Sequence, residues 1–257
     1  MCARCPETGT RPSAVSYICC LNWPAFTSRT TVHMSTNRRE FLERTAGAAL
    51  FGALPFSLTP TAAALAAPAP TSEEWDVTWG NRLTGKHKAV FDVPEVESGY
   101  GVWRASIWAR QYVEVLGAKP NEVSTVLILR HNGIVLAMQQ AFWDKYKIGE
   151  TKKVLHPITQ QQTDRNPALL SSARGEVPEQ FDAAALDRFI ARGNIALACD
   201  LALADCVELI KTKDGVAEDE ARKRAIAFLV PGVIRQPSGV FAAVKAQQAG
   251  CHYVRAS

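Results

Sequence analysis

Eight residues in the second half of this sequence have side chains and spacings suited to chemistry. They are Arg130, His131 and Asn132 in "LILRHNG", Cys199 and Asp200 in "ALACDLA", and Gln236, Ser238 and Gly239 in "VIRQPSG". Each triplet or pair follows a run of aliphatics that reads as a strand. In open α/β sheets, ligands bind beyond the carboxyl ends of the strands, where loops and helix N-termini converge. Cys199 is the candidate nucleophile, because a thiol where a strand ends and a helix begins has its pKa lowered by the helix dipole. Asp200 beside it acts in the opposite sense. His131 is placed as the base, or as the cationic neighbour, that activates such a thiol. Ser238 and Gly239 open a helix whose free N–H groups favour an anion. Arg130, Asn132, Asp200 and Gln236 complete the expected ligand-binding set. Free cysteine is also among the most buried residue types, so packing is the competing role for Cys199.

The elements that must position these residues alternate. "HKAVFDV" reads as a strand closed by Pro94, and residues 100–118 show helical spacing that stops near Gly117. "STVLILRHNG" is a strand of continuous aliphatics, as expected where both faces are buried. "IVLAMQQAFWDKYKIG" reads as a helix stopping near Gly149. Residues 150–177 are polar and aperiodic, a length that points to a functional loop or an oligomer contact. "FDAAALDRFIARG" is an amphipathic helix. "NIALACDLALADCVELI" begins as a buried strand and passes into a helix near Cys199. "AEDEARKRAIAFL" and "PSGVFAAVKAQQAG" are helices, and "GVIRQ" and "CHYVRA" are short strands. Repeated βα units predict an α/β fold, a small Rossmann-like three-layer sandwich with a mainly parallel sheet.

The N-terminal quarter has a different character. Asn37-Arg38-Arg39-Glu40-Phe41-Leu42 resembles the twin-arginine export signature, followed by an apolar run over residues 46–58 and an A-x-A site at Ala64-Leu65-Ala66. That run is shorter than the roughly twenty apolar residues of a membrane span. Met34 stands three residues before Asn37, so residues 1–33 read as an over-extended start and residues 34–66 as a signal peptide. Residues 67–85 then form a linker, and residues 86–257 a single domain. The expected location is periplasmic, with the twin-arginine translocation machinery as an export partner and no membrane span after cleavage.

Charge follows the same division. The chain has 29 Lys+Arg and 25 Asp+Glu; residues 1–66 hold 6 and 3 of these, leaving 23 and 22. So near-neutral a domain gives no electrostatic reason for nucleic-acid binding. Cys199, Cys206 and Cys251 remain after the signal, an odd number and too few for a disulfide scaffold. Cys206 and Cys251 read as core thiols. No Walker A loop, G-x-S-x-G elbow, H-E-x-x-H or G-x-G-x-x-G occurs, and no second ligand lies at metal spacing from His156. Neither a cofactor nor a metal is therefore expected.

"VLILRHNGIVLAM", "GNIALACDLA" and especially "PGVIRQPSGVFAAVKAQQAGCHYV" resemble segments of the DsrE/DsrF-like sulfur-relay family. The resemblance covers about residues 86–256. It implies a Rossmann-like sandwich, homotrimers or hexamers, and, in active members, a cysteine after a central strand that carries a persulfide. Cys199 matches that cysteine, and His131 with Asn132 falls where the family tends to have a His-Gly turn. The export signal and the long 150–177 segment depart from the relay members. Two functions follow as expectations: a sulfur carrier or sulfurtransferase using Cys199 with a donor or acceptor protein, or a non-catalytic oligomeric small-ligand-binding protein. A redox or metal role for the thiols is a third reading.

Overall fold

The structure, a computed structural model, describes residues 75–257. The expected over-extended start, signal peptide and A-x-A site lie outside the described residues, as does most of the linker.

Five strands form one sheet: β1 (His87–Val93), β2 (Val123–Leu129), β3 (Ile195–Cys199), β4 (Ile234–Gln236) and β5 (His252–Arg255). Their order is β4-β3-β2-β1-β5 and every pairing is parallel. Continuous aliphatic runs suit such strands because helices cover both faces. Alternation sorts the side chains. Phe91, Leu127, Leu129 and Ala196 join one core cluster. Val90, Val126, Ile128, Ile195 and Leu197 join the other. The first face packs against α1 (Tyr100–Leu116) and α5 (Asp200–Asp214), with α2 (Gln140–Tyr146), α3 (Ile148–Thr151), α4 (Leu186–Ala191) and α6 (Glu218–Ala227) adding to that layer. The second face packs against Ala242 and Ala246 of α7 (Gly239–Gln248). This is the Rossmann-like α/β sandwich expected from the pattern. Trp79 and Leu83, within the segment read as linker, are buried beside α7, so residues there already belong to the packed domain.

Two segments differ from the expected helices. In place of one helix over residues 134–149, a 3-10 turn (His131–Ala137) is followed by an extended Met138 and the short helices α2 and α3. Tertiary bonds cause the break: the Gln139 N–H donates to the Phe228 carbonyl and the Val230 N–H to the Ala137 carbonyl. The helix expected at residues 181–193 is likewise split into a 3-10 segment (Glu179–Ala184) and α4.

The long polar segment is internally tied rather than open. Asn166 is fully buried and donates to the Leu136 and Met138 carbonyls. Asp182 accepts from the Ser172 N–H at 2.6 Å and the Ser172 hydroxyl at 2.5 Å, and meets Arg188 at 2.6 Å. The Ser172 bonds, and then Arg188, pull the Asp182 carboxyl down to about 2 from an ordinary 3.8.

Gly133 fixes how the turn after β2 lies on the sheet. Its N–H donates to the Pro94 carbonyl, and a Cβ there would stand 2.3 Å from the Val93 carbonyl oxygen. Gly133→Ala is expected to cost roughly 1–3 kcal/mol in urea unfolding, because backbone must shift to admit the methyl. Because the folded Asp182 pKa lies below its ordinary value, its contribution is complete above that value. It is lost as pH falls toward about 2. The gap in melting temperature between wild type and Asp182→Asn should accordingly close over that acidic window.

Candidate functional site

At the carboxyl ends of the strands, the expected ligand-binding residues turn out to be engaged mostly with partners inside the protein. Arg130, following β2, makes a two-pronged pair with Asp92 of β1, Nε to Oδ1 at 2.7 Å and Nη2 to Oδ2 at 2.8 Å. Asp92 is only 2% exposed, and the Tyr253 hydroxyl of β5 also donates to it at 2.5 Å. The bonds to Asp92 hold the Arg130 pKa above its ordinary value, while burial, reinforced by Asp92, raises that of Tyr253. The Arg130 stem lies against Gly239, where a Cβ would come within 2.4 Å of Cδ. Gly239 is therefore a clearance for Arg130, and Arg130 is a partner for a buried acid rather than a clamp for an outside anion.

Asp200 is held in the same way, by Arg222 and Arg235, each at 2.9 Å. Arg235 also lies over the Trp75 ring at 5.3 Å. Gln236 is fully buried and donates to the Asp76 and Arg235 carbonyls at 2.7 Å. Ser238 is the N-cap of α7, its hydroxyl accepting from the Phe241 N–H at 3.0 Å. That bond satisfies one of the helix donors an anion would otherwise use.

Cys199 closes β3 and precedes α5, as expected, yet it is only 6% exposed and sits in the larger core cluster. It lines neither of the two principal cavities. Cys199, Cys206 and Cys251 are all buried free thiols. Burial pushes Cys206 up to about 12 and Cys251 up to about 11. A thiol held that high is almost wholly protonated near neutrality, and the thiolate is the reactive form.

His131 and Asn132 have a different setting. His131 adopts a left-handed backbone, φ 49°, and its side chain is 63% exposed, with Nδ1 3.2 Å from Glu95 Oε1. Asn132 donates to the other Glu95 oxygen at 2.9 Å and accepts from Lys152 at 3.1 Å. Both residues line a cavity of about 550 Å³ between the turn after β2, the α2–α3 junction and α5. Ile134, Val135, Ile148 and Leu209 give it an aliphatic lining. Lys145, Lys147, Lys152 and Lys213 surround it, against Asp205. Lys145 is also bonded to Asp214 at 2.7 Å, which raises its pKa. No ion pair to Lys147 or Lys213 occurs among the described residues. The volume lies within the range of small-molecule sites, and an apolar lining with a few converging charges is their usual chemistry.

The sequence reading missed this grouping because one helix through residues 134–149 has no turn at Lys147, and Lys213 comes from a helix distant in sequence. Lys147 in fact has a left-handed backbone, φ 54°, that joins α2 to α3 and turns both toward α5. It also missed Asp92, although a carboxylate within "HKAVFDV" already breaks an otherwise buried strand. Among the described residues there is no group of three or more His, Cys, Asp or Glu that could hold a metal ion, and no helix is long and apolar enough to cross a membrane.

Asp92→Asn should destabilise the chain by about 3 kcal/mol in denaturant unfolding, the low end for breaking a buried pair because Arg130 keeps some solvent. Comparison of the chain with known proteins adds no identity to this geometry: no family model and no curated protein matches it.

Proposed function

We propose that this protein binds a small anionic molecule in the lysine-rimmed cavity beside His131 and Asn132, without covalent chemistry. One observation carries the reading: four lysines and a histidine converge on one cavity of about 550 Å³ with an aliphatic lining and a single lining carboxylate, Asp205. Partial enclosure weakens solvent screening there, so an anion gains more than it would at an open surface. Lys145 and Lys152 are already fixed by Asp214 and Asn132, which lowers the ordering cost of binding.

The resemblance to the DsrE/DsrF-like family supplies a second reading, a sulfur carrier with a persulfide on Cys199. Its support is the place of Cys199 at the β3–α5 junction. Against it stand the burial of that thiol and its separation from the cavity that His131 lines. Export by the twin-arginine route to the periplasm, and assembly into a homotrimer or hexamer, belong to this same proposal; they rest on the sequence motif and the family resemblance.

Two experiments separate the readings. Isothermal titration of the full chain with pyrophosphate should give saturable binding that weakens as salt rises. A Lys147→Glu/Lys213→Glu variant should bind roughly tenfold or more weakly, about 1.4 kcal/mol per tenfold step. Equal affinity in the variant, or no binding to the wild type, contradicts the cavity assignment. In the second, folded protein is treated with polysulfide and its intact mass measured. No added sulfur is expected, whereas an adduct lost in Cys199→Ser would favour the sulfur carrier.

A further inference from the structure

A second cavity, of about 290 Å³, lies by the opposite end of the sheet, where Pro120 and Val123 lead into β2 and Asn194 into β3. One wall is α1, contributing Trp103, Ser106 and Arg110; another is the 179–192 stretch, contributing Phe181, Phe189 and Arg192. Two features give this cavity its chemical character.

Arg192 donates to the Ala183 carbonyl, and no ion pair to it occurs among the described residues. Although much of the residue is exposed, desolvation, with repulsion from Arg188, holds its pKa below the ordinary guanidinium value. Arg188 itself is paired with Asp182. Trp103 and Phe181 stack with centroids 4.7 Å apart and planes 22° apart in a small apolar cluster with Leu170 and Val177, and both residues line the cavity.

We propose that this cavity is a second binding site, for an amphipathic monocarboxylate: Arg192 takes the carboxylate, and the apolar walls beside Trp103 and Phe181 hold an aryl or branched aliphatic body. A single acid group fits better than a polyanion. The other cation of the lining, Arg110, lies 3.7 Å from Glu114, and the remaining walls are largely apolar. The ligand differs in class from that of the lysine-rimmed cavity, and neither site depends on the other.

The probe is 3-phenylpropanoate, titrated calorimetrically into the full chain, with the neutral 3-phenylpropanamide alongside. The carboxylate should bind saturably at one site and the amide at least tenfold more weakly, a comparison that requires no variant. Arg192→Gln should lose tenfold or more. The Lys147→Glu/Lys213→Glu variant should be unaffected, and pyrophosphate should not compete. The proposal is overturned by absence of saturable binding, by equal affinity for acid and amide, or by unchanged affinity in Arg192→Gln. Loss of binding in the lysine variant would also overturn it, by placing the probe in the larger cavity.

Discussion

A carboxylate inside a parallel sheet covered on both faces can remain charged only if strong donors reach it. Asp92 meets this condition through three side-chain bonds, two from Arg130 and one from Tyr253. Much of the carboxyl end of the sheet follows from that requirement. Arg130 must cross from β2 to β1, which leaves Gly239 no room for a side chain at the start of α7. Tyr253 must lie on β5, which pairs directly with β1. The residues following β2, His131 and Asn132, then bond to Glu95 beyond β1 and line the larger cavity. A charge pair internal to the sheet therefore fixes the loop that carries the candidate site.

The layered architecture was legible in the sequence because each strand is a short aliphatic run and α1, α5, α6 and α7 have clear helical signals. "IALAC" followed by "DLALADC" placed the β3–α5 junction at Cys199 correctly, since continuous burial gives way to helical spacing at that residue. What failed to show was any feature set by distant bonds. Residues 134–149 have good local helical character, yet Gln139 and Val230 trade backbone bonds between two segments and break the helix. The four lysines were visible individually, but only the left-handed turn at Lys147 brings three of them opposite Lys213. Their place at strand ends and a helix start made Arg130, Asp200 and Ser238 look like ligand groups. Arg130 and Asp200 have partners distant in sequence, which no spacing rule reports, and Ser238 caps its own helix through Phe241.

The two cavities differ in chemical character. The larger combines ammonium groups with an aliphatic lining; the smaller combines two guanidinium groups, one of them beside Glu114, with largely apolar walls. All three thiols are buried; Cys199 and Cys251 line neither cavity, Cys206 borders the larger one, and burial keeps Cys206 and Cys251 protonated. Binding at preformed cavities is therefore a better account of this geometry than covalent transfer through a cysteine.

The central claim is that the anion site is the lysine-rimmed cavity and not the Cys199 crevice. Backbone amide shifts of the full chain, followed by NMR during titration with pyrophosphate, test it most directly. Saturable shifts confined to residues 131–135, 145–152 and 205–213 are the predicted result. Shifts centred on Cys199, Asp200 and residues 236–239 would contradict it and return the site to the strand ends.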